Sequence, residues 1–267
     1  MSEKDLAFVL DMDGVLYHGE QVLDGAVAFM DRISAYSHVF LTNNPVLPPG
    51  RVADRLERLG FPRPDERLIV TSAEATAWWL AREKPGFRYF AVGANGLDAA
   101  LREQGRADDA NADFVVVGEG PGLDFESLTT GINLVLKKDA RLVATNPDTT
   151  VDATRDGQHV VLPGGGALVA PFMAATGRQP VFIGKPGALL YELAMARIGV
   201  EPNQCVMIGD RPDTDIVGAV RLGMRTGLVR TGRFAPGEEY PADLPTPDWD
   251  VGSLRELADE LEAAGVL

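Results

Sequence analysis

The chain is short of cysteine, histidine and basic residues and has no long apolar run, and each shortage narrows what it can be. Its single cysteine, Cys205, permits no internal disulfide. It opens an apolar run, which suits a small buried side chain. A fold built without disulfides fits a reducing compartment, so a cytoplasmic location is expected. The three histidines, His18, His38 and His159, lack the spacing of a metal site. No segment reaches the roughly 18 consecutive apolar residues of a transmembrane helix. Residues 1–6 carry charges where a signal peptide would be apolar, so none is expected.

Lysine and arginine number 25 against 39 aspartates and glutamates, a formal charge of −14. Such a surface repels polyanions, so neither nucleic acid nor an acidic membrane is an expected partner. It also repels small anions, and an anionic substrate would have to be held by local positive charge. What the chain has in quantity is apolar sequence: 45% hydrophobic residues over 267 positions describe a globular protein of one or two domains. Composition leaves a homo-oligomer open.

The apolar residues are arranged in short runs that end in polar clusters. Phe8-Val9-Leu10 breaks into Asp11-Met12-Asp13-Gly14, and Val39-Phe40-Leu41 into Thr42-Asn43-Asn44. Val181-Phe182-Ile183 runs into Gly184-Lys185-Pro186, and Val206-Met207-Ile208 into Gly209-Asp210, with Asp213, Thr214 and Asp215 just beyond. Each run reads as a buried parallel strand, and ligands collect at the carboxyl ends of such strands. Any one cluster also fits a turn, because Asp and Asn hydrogen-bond locally at strand ends and a Gly-Lys-Pro turn commonly carries a solvated lysine. Together they supply a carboxylate nucleophile, donors for phosphoryl oxygens, a fixed cation and carboxylates for a hard metal ion.

These segments, in this order, resemble the four motifs of the haloacid dehalogenase (HAD) superfamily. Ala144-Thr145-Asn146-Pro147-Asp148 and Gly164-Gly165-Gly166-Ala167-Leu168 resemble its NagD-like branch, class IIA. The resemblance implies a Rossmann-like parallel-sheet α/β core with an inserted α/β cap of the C2 type. It implies an Mg2+-dependent phosphomonoester hydrolase acting through an aspartyl phosphate on a small ester such as a sugar phosphate, nucleoside monophosphate or phosphoglycolate-like compound. Asp11 would be the nucleophile and Asp13 the general acid and base. The phosphoryl group would be held by Thr42, Asn43, Lys185 and backbone N–H groups of the loop at Gly14. The metal would be held by the Asp11 carboxylate, the Asp13 carbonyl and the Asp210 carboxylate, with Asp215 supporting. Asp213 also fits an exposed acid in the first turn of a helix, where the dipole favours negative charge.

Strand alternates with helix along the whole chain, the signature of βαβ units. A helix is expected over 25–36, where Ala26, Met30, Ile33 and Tyr36 share a face; another runs from Pro48-Pro49 to Gly60, and a third is capped by Thr71. Pro85-Gly86 and Gly177–Pro180 bracket a second α/β set, so residues 1–83 and 179–267 are expected to form the core and 84–178 the cap. In that cap Asn146 and Asp148 are candidate contacts for the leaving group, or equally an Asx turn. Gly164–Gly166 either admits substrate or is a flexible turn. Tyr17 and His18 follow the catalytic loop closely enough to be substrate contacts. Ser253-Leu254-Arg255-Glu256 reads as a capping box. Two other readings use similar parts: a phospho-accepting receiver-like module and a sugar-phosphate phosphomutase. Asp13 and the inserted domain argue against the first. The short span between Val15 and Leu41 leaves no room for the cap of the second.

Overall fold

The computed structural model describes residues 6–155 and 157–267; of the segment read against a signal peptide, only Leu6 lies within them. The chain divides into two compact units, one comprising Met1–Thr42, Val52–Val70 and Lys185–Leu267, the other Asn43–Arg51 and Thr71–Gly184. The helix Ser72–Glu83 therefore groups with the second unit.

The first unit is organised by a six-stranded sheet in the order Trp249–Val251, Arg225–Val229, Cys205–Gly209, Ala7–Leu10, Ser37–Thr42, Ile69–Thr71. Ala7–Leu10 lies inside it, paired in parallel with Cys205–Gly209 on one side and Ser37–Thr42 on the other, so that Val9 is level with both Met207 and Val39. A strand covered on both faces must be apolar throughout, and Ala7, Phe8, Val9 and Leu10 are fully buried. Phe8 meets Phe29 and Tyr36 edge to face at 6.2 and 5.6 Å, which seats the segment after the strand on the sheet. The expected helix over 25–36 is an α-helix over Ala26–Arg32 that tightens into a 3-10 turn at Ile33–Ala35.

The second unit has its own parallel sheet, in the order Val181–Phe182, Arg141–Ala144, Phe114–Val117, Arg88–Val92, Arg106–Ala107, and a separate antiparallel hairpin of Thr150–Arg155 and Gln158–Pro163. Its core gathers Val115, Val117, Leu142, Ala144, Val169 and Phe172. The strand leading to Lys185 belongs here rather than beside Ala7–Leu10: Val181 pairs with Val143 and Phe182 with Ala144. A three-residue apolar run carries no information on which sheet it joins; the decision lies with Phe182, which packs on this unit's core.

Thr71 caps Ser72–Glu83 through a reciprocal capping box with Glu74. At the last helix the expected box is modified. Ser253 accepts from the Glu256 N–H, but the Glu256 carboxylate reaches the N–H of Gly252 instead of that of Ser253.

Candidate active site

Asp11 follows the last residue of its strand, and its N–H still donates to Ile208 at 2.9 Å, so the sheet itself fixes where the side chain starts. Its Oδ1 accepts from the Met12 N–H at 2.8 Å, and Oδ2 lies 3.0 Å from Lys185 Nζ. Lys185 also reaches Asp215 Oδ1 at 2.7 Å. The other oxygen of Asp215 accepts from the Arg211 N–H at 3.0 Å. Asp210, at the end of Cys205–Gly209, completes the group: Asp11, Asp210 and Asp215 each place a carboxylate oxygen within 4.8 Å of the others. All three acids and Lys185 are buried.

Three carboxylates against one ammonium make an electrostatic imbalance that burial magnifies. Burial pushes the Asp11 carboxyl up; Lys185 pulls it down and Asp215 pushes it up again, and it settles at about 7. Asp210 is raised well above an ordinary carboxyl, first by burial and then by the charges of Asp215 and Asp11. Burial alone would lower the Lys185 ammonium, but Asp11 and Asp215 outweigh it and hold it above its ordinary value. A hard, oxygen-seeking cation suits this donor set and would favour the ionised forms of Asp11 and Asp210.

The imbalance has a measurable consequence. Asp11 titrates near 3.8 in an unfolded chain and near 7 in the folded, metal-free one, so folding takes up a proton between those values. Its contribution to stability is therefore complete below about pH 4 and declines as pH rises towards about 7. A bound cation removes this penalty. We expect the thermal stabilisation given by Mg2+ to be larger at about pH 7.5 than at about pH 5; equal shifts in calorimetry at both would contradict the account.

Asp213 stands apart, its side chain 59% exposed and paired with Arg211 at 2.7 Å. The segment Pro212–Ile216 is a π-turn, with Asp215 and Ile216 N–H both directed at the Arg211 carbonyl. Such turns misalign helix carbonyls. The buried Tyr191 hydroxyl donates to the carbonyls of Thr214 and Asp215 at 3.1 and 3.0 Å and holds the turn that carries Asp215. Nothing in the sequence marks Tyr191 beyond a polar atom on a helix face that is otherwise core.

Asp13 is exposed, and Thr42 is buried at the end of its strand. The Gly14 N–H, expected among the phosphoryl donors, donates to the Tyr17 carbonyl at 2.8 Å. What Gly14 contributes is a backbone at φ +78° and space beside Asp210. Tyr17 is buried under Arg55, 4.5 Å from ring centroid to guanidinium, and so is a packing residue; His18 is exposed on the short hairpin that Tyr17 begins.

The remaining candidates lie in the second unit, joined in one network. Asn43 Nδ2 donates to Asp148 Oδ2 at 2.8 Å, and the Asn43 carbonyl accepts from Ser72 Oγ at 2.5 Å and Asn146 Nδ2 at 2.8 Å. Asn146 also donates to the buried Glu119 at 2.8 Å, and its Oδ1 accepts from the Asp148 N–H at 3.1 Å, which is an Asx turn. The run Gly164–Gly166 is closely packed rather than open: a Cβ at any of the three would strike the backbone of Asn146, Pro147 or Asp148. The glycines let the helix Gly165–Thr176 start directly against that loop. Glu119 had no motif to announce it.

Comparison with known proteins identifies the family. A profile of the haloacid dehalogenase-like hydrolases matches residues 8–107, and a second, HAD-hydrolase-like, matches residues 182–257. A dihydroxyacetone phosphatase of Corynebacterium glutamicum is 38% identical over 260 residues, covering 96% of this chain and 91% of its own. The chain belongs to the haloacid dehalogenase-like hydrolases. An acid sugar phosphatase of Staphylococcus saprophyticus is 34% identical over 96% of this chain and 98% of its own. Among solved structures, NagD from E. coli K-12 superimposes with a TM-score of 0.82 at 30% identity, covering 94% of this chain and 97% of that one. A p-nitrophenyl phosphatase from Archaeoglobus fulgidus gives 0.86 at 27% identity, covering 96% and 98%. This HAD-like hydrolase is thus a phosphatase of the NagD-like branch, with an α/β core of the kind expected. HAD phosphatases generally use a metal, and the carboxylate cluster is a place for one. Among the described residues no helix is long and apolar enough to cross a membrane.

Proposed function

We propose that this hydrolase cleaves phosphomonoesters of small sugars or trioses, with Mg2+ as its ion, through a phosphoaspartate on Asp11. The observation that carries the mechanism is the Asp11 carboxylate, held 3.0 Å from Lys185 inside a buried carboxylate cluster. The cluster would hold Mg2+ by Asp11 and Asp210, with Asp215 behind them. Once bound, the ion supplies positive charge to the phosphoryl oxygens.

Asp11 attacks phosphorus in line, forming an O–P bond as the ester oxygen departs. Asp13, whose exposure fits a group that meets substrate, gives its proton to that oxygen. As a carboxylate it then takes a proton from water, whose oxygen attacks the phosphoaspartate, releasing phosphate and freeing Asp11. Lys185 favours the ionised form of the nucleophile against the effect of burial and, with Thr42 and Asn43, balances the charge on the transferring group.

Residues 84–178 are assigned as a C2-type cap that reads the leaving group. Asn43 and Asp148 share a hydrogen bond, so the assigned phosphoryl donor and a candidate leaving-group contact are linked side chains. The names of the two curated relatives favour sugar and triose phosphates among the ester classes, and hydrolysis over long-lived phosphorylation.

The test is phosphate release from p-nitrophenyl phosphate and a panel of sugar phosphates, dihydroxyacetone phosphate, nucleoside monophosphates and phosphoglycolate. EDTA should abolish turnover and Mg2+ restore it; full activity after chelation would remove the ion. Asp148→Ala should reorder kcat/KM among the metabolites while sparing p-nitrophenyl phosphate, whose good leaving group asks little of a cap. An unchanged order would make Asp148 a turn residue.

A further inference from the structure

The strand Arg225–Val229 ends two strands away from Ala7–Leu10, with Cys205–Gly209 between them. Its following loop nevertheless touches the loops that follow both of those strands. Thr231 Oγ1 donates to the Gly14 carbonyl at 2.7 Å, and the Arg233 N–H donates to Asp210 Oδ2 at 2.7 Å. Between these bonds Gly232 lies flat against the Asp210 carboxylate: a Cβ there would stand 2.6 Å from Asp210 Cγ and 2.6 Å from Gly14 Cα. A Cβ on Gly14 would likewise stand 2.7 Å from Asp210 Cγ and 2.9 Å from Gly232 Cα, so the two glycines lie against each other as well as against the carboxylate. The Oδ2 end of the Asp210 carboxylate is thus packed against a pair of touching glycines, with that oxygen held by a backbone donor.

The loop is anchored independently of Asp210. The Arg230 N–H donates to the Val251 carbonyl at 2.9 Å, its guanidinium grips Asp250 at 2.6 and 2.7 Å, and Phe234 packs with Ile216 and Leu228. A carboxylate with a free Cβ–Cγ torsion must be ordered when an ion binds, whereas one packed against two glycines and bonded through Oδ2 is ordered beforehand.

We infer that Thr231–Gly232–Arg233 is a positioning strap that sets the Asp210 carboxylate for a divalent cation and, through the Gly14 carbonyl, steadies the loop that bears Asp13. This rests on the reading of Asp11, Asp210 and Asp215 as the cation site. None of the three strap residues meets the reacting atoms in this role; they act through Asp210 and Gly14.

The experiment measures Mn2+ binding to the EDTA-treated full-length protein by electron paramagnetic resonance, beside the Mg2+ dependence of turnover. Gly232→Ala should weaken Mn2+ binding by roughly ten-fold or more, with kcat recovering at high Mg2+. If that variant fails to fold, Thr231→Val removes the hydroxyl at constant volume; it should weaken Mn2+ binding several-fold while Thr231→Ser restores wild-type affinity. Folded variants, checked by circular dichroism and melting, that bind Mn2+ as tightly as wild type would overturn the strap and leave the cation site standing. Wild-type protein that binds no Mn2+ and hydrolyses esters after EDTA treatment would overturn both.

Discussion

Asp11→Asn should reduce phosphate release from every ester to below about one-thousandth of the wild-type rate, because the amide keeps the shape and loses the negative charge that makes the oxygen a nucleophile. The fold should survive, and the sign of the electrostatics says why. Burial already pushes the Asp11 carboxyl up to about 7 against an ordinary 3.8, so in the metal-free protein the site favours a neutral group below about pH 7. Asparagine supplies one without the repulsion from Asp215. Lys185 keeps its partner in Asp215 at 2.7 Å. The melting temperature of the metal-free variant should therefore equal or exceed that of wild type near neutral pH. A rate close to wild type, from protein shown free of contaminating phosphatase, would take the nucleophile's role away from Asp11.

Lys185→Met should cost both activity and stability. Lys185 is 2% exposed, and its ammonium stands between two buried acids. Loss of a preorganised positive group facing the phosphoryl oxygens should lower kcat/KM by two or more orders of magnitude, about 3 kcal/mol of transition-state stabilisation. Removing one partner of a buried ion pair leaves the others uncompensated, which typically costs about 3–5 kcal/mol. Methionine matches the volume, so this loss is electrostatic rather than a cavity. Mg2+ should return part of the stability, since it neutralises the same carboxylates, but not the catalytic rate. Unchanged kcat/KM in a folded Lys185→Met protein would show that the lysine is a structural counter-ion only.

Much of the site was legible because its residues break a pattern. Asp11, Thr42 and Asp210 interrupt apolar runs at strand ends, and a run that turns abruptly polar is visible without coordinates. The same signal stood at Thr231-Gly232-Arg233, which follows Gly227-Leu228-Val229, yet its residue types belong equally to an ordinary turn. Only the bonds to Asp210 and Gly14 separate the two. Tyr191 and Glu119 gave no pattern to read, since a single polar residue on an apolar helix or after an apolar strand becomes informative only once its partner is known.

The sequence by itself determined the α/β alternation, the fully buried central strand, the order of the acidic, hydroxyl and lysine motifs and the caps at Thr71 and Ser253. All of these depend on neighbours within a few residues, where periodicity and local hydrogen bonding decide. Tertiary structure decided the rest: that Val181–Phe182 pairs with Arg141–Ala144, that Asp215 rather than Asp213 turns inward to Lys185, that Gly164–Gly166 serves close packing, and that Gly232 closes over Asp210. Each of these turns on contacts between residues far apart in the chain. There close packing and the cost of burying an unpaired charge select among conformations that the local sequence leaves equally open.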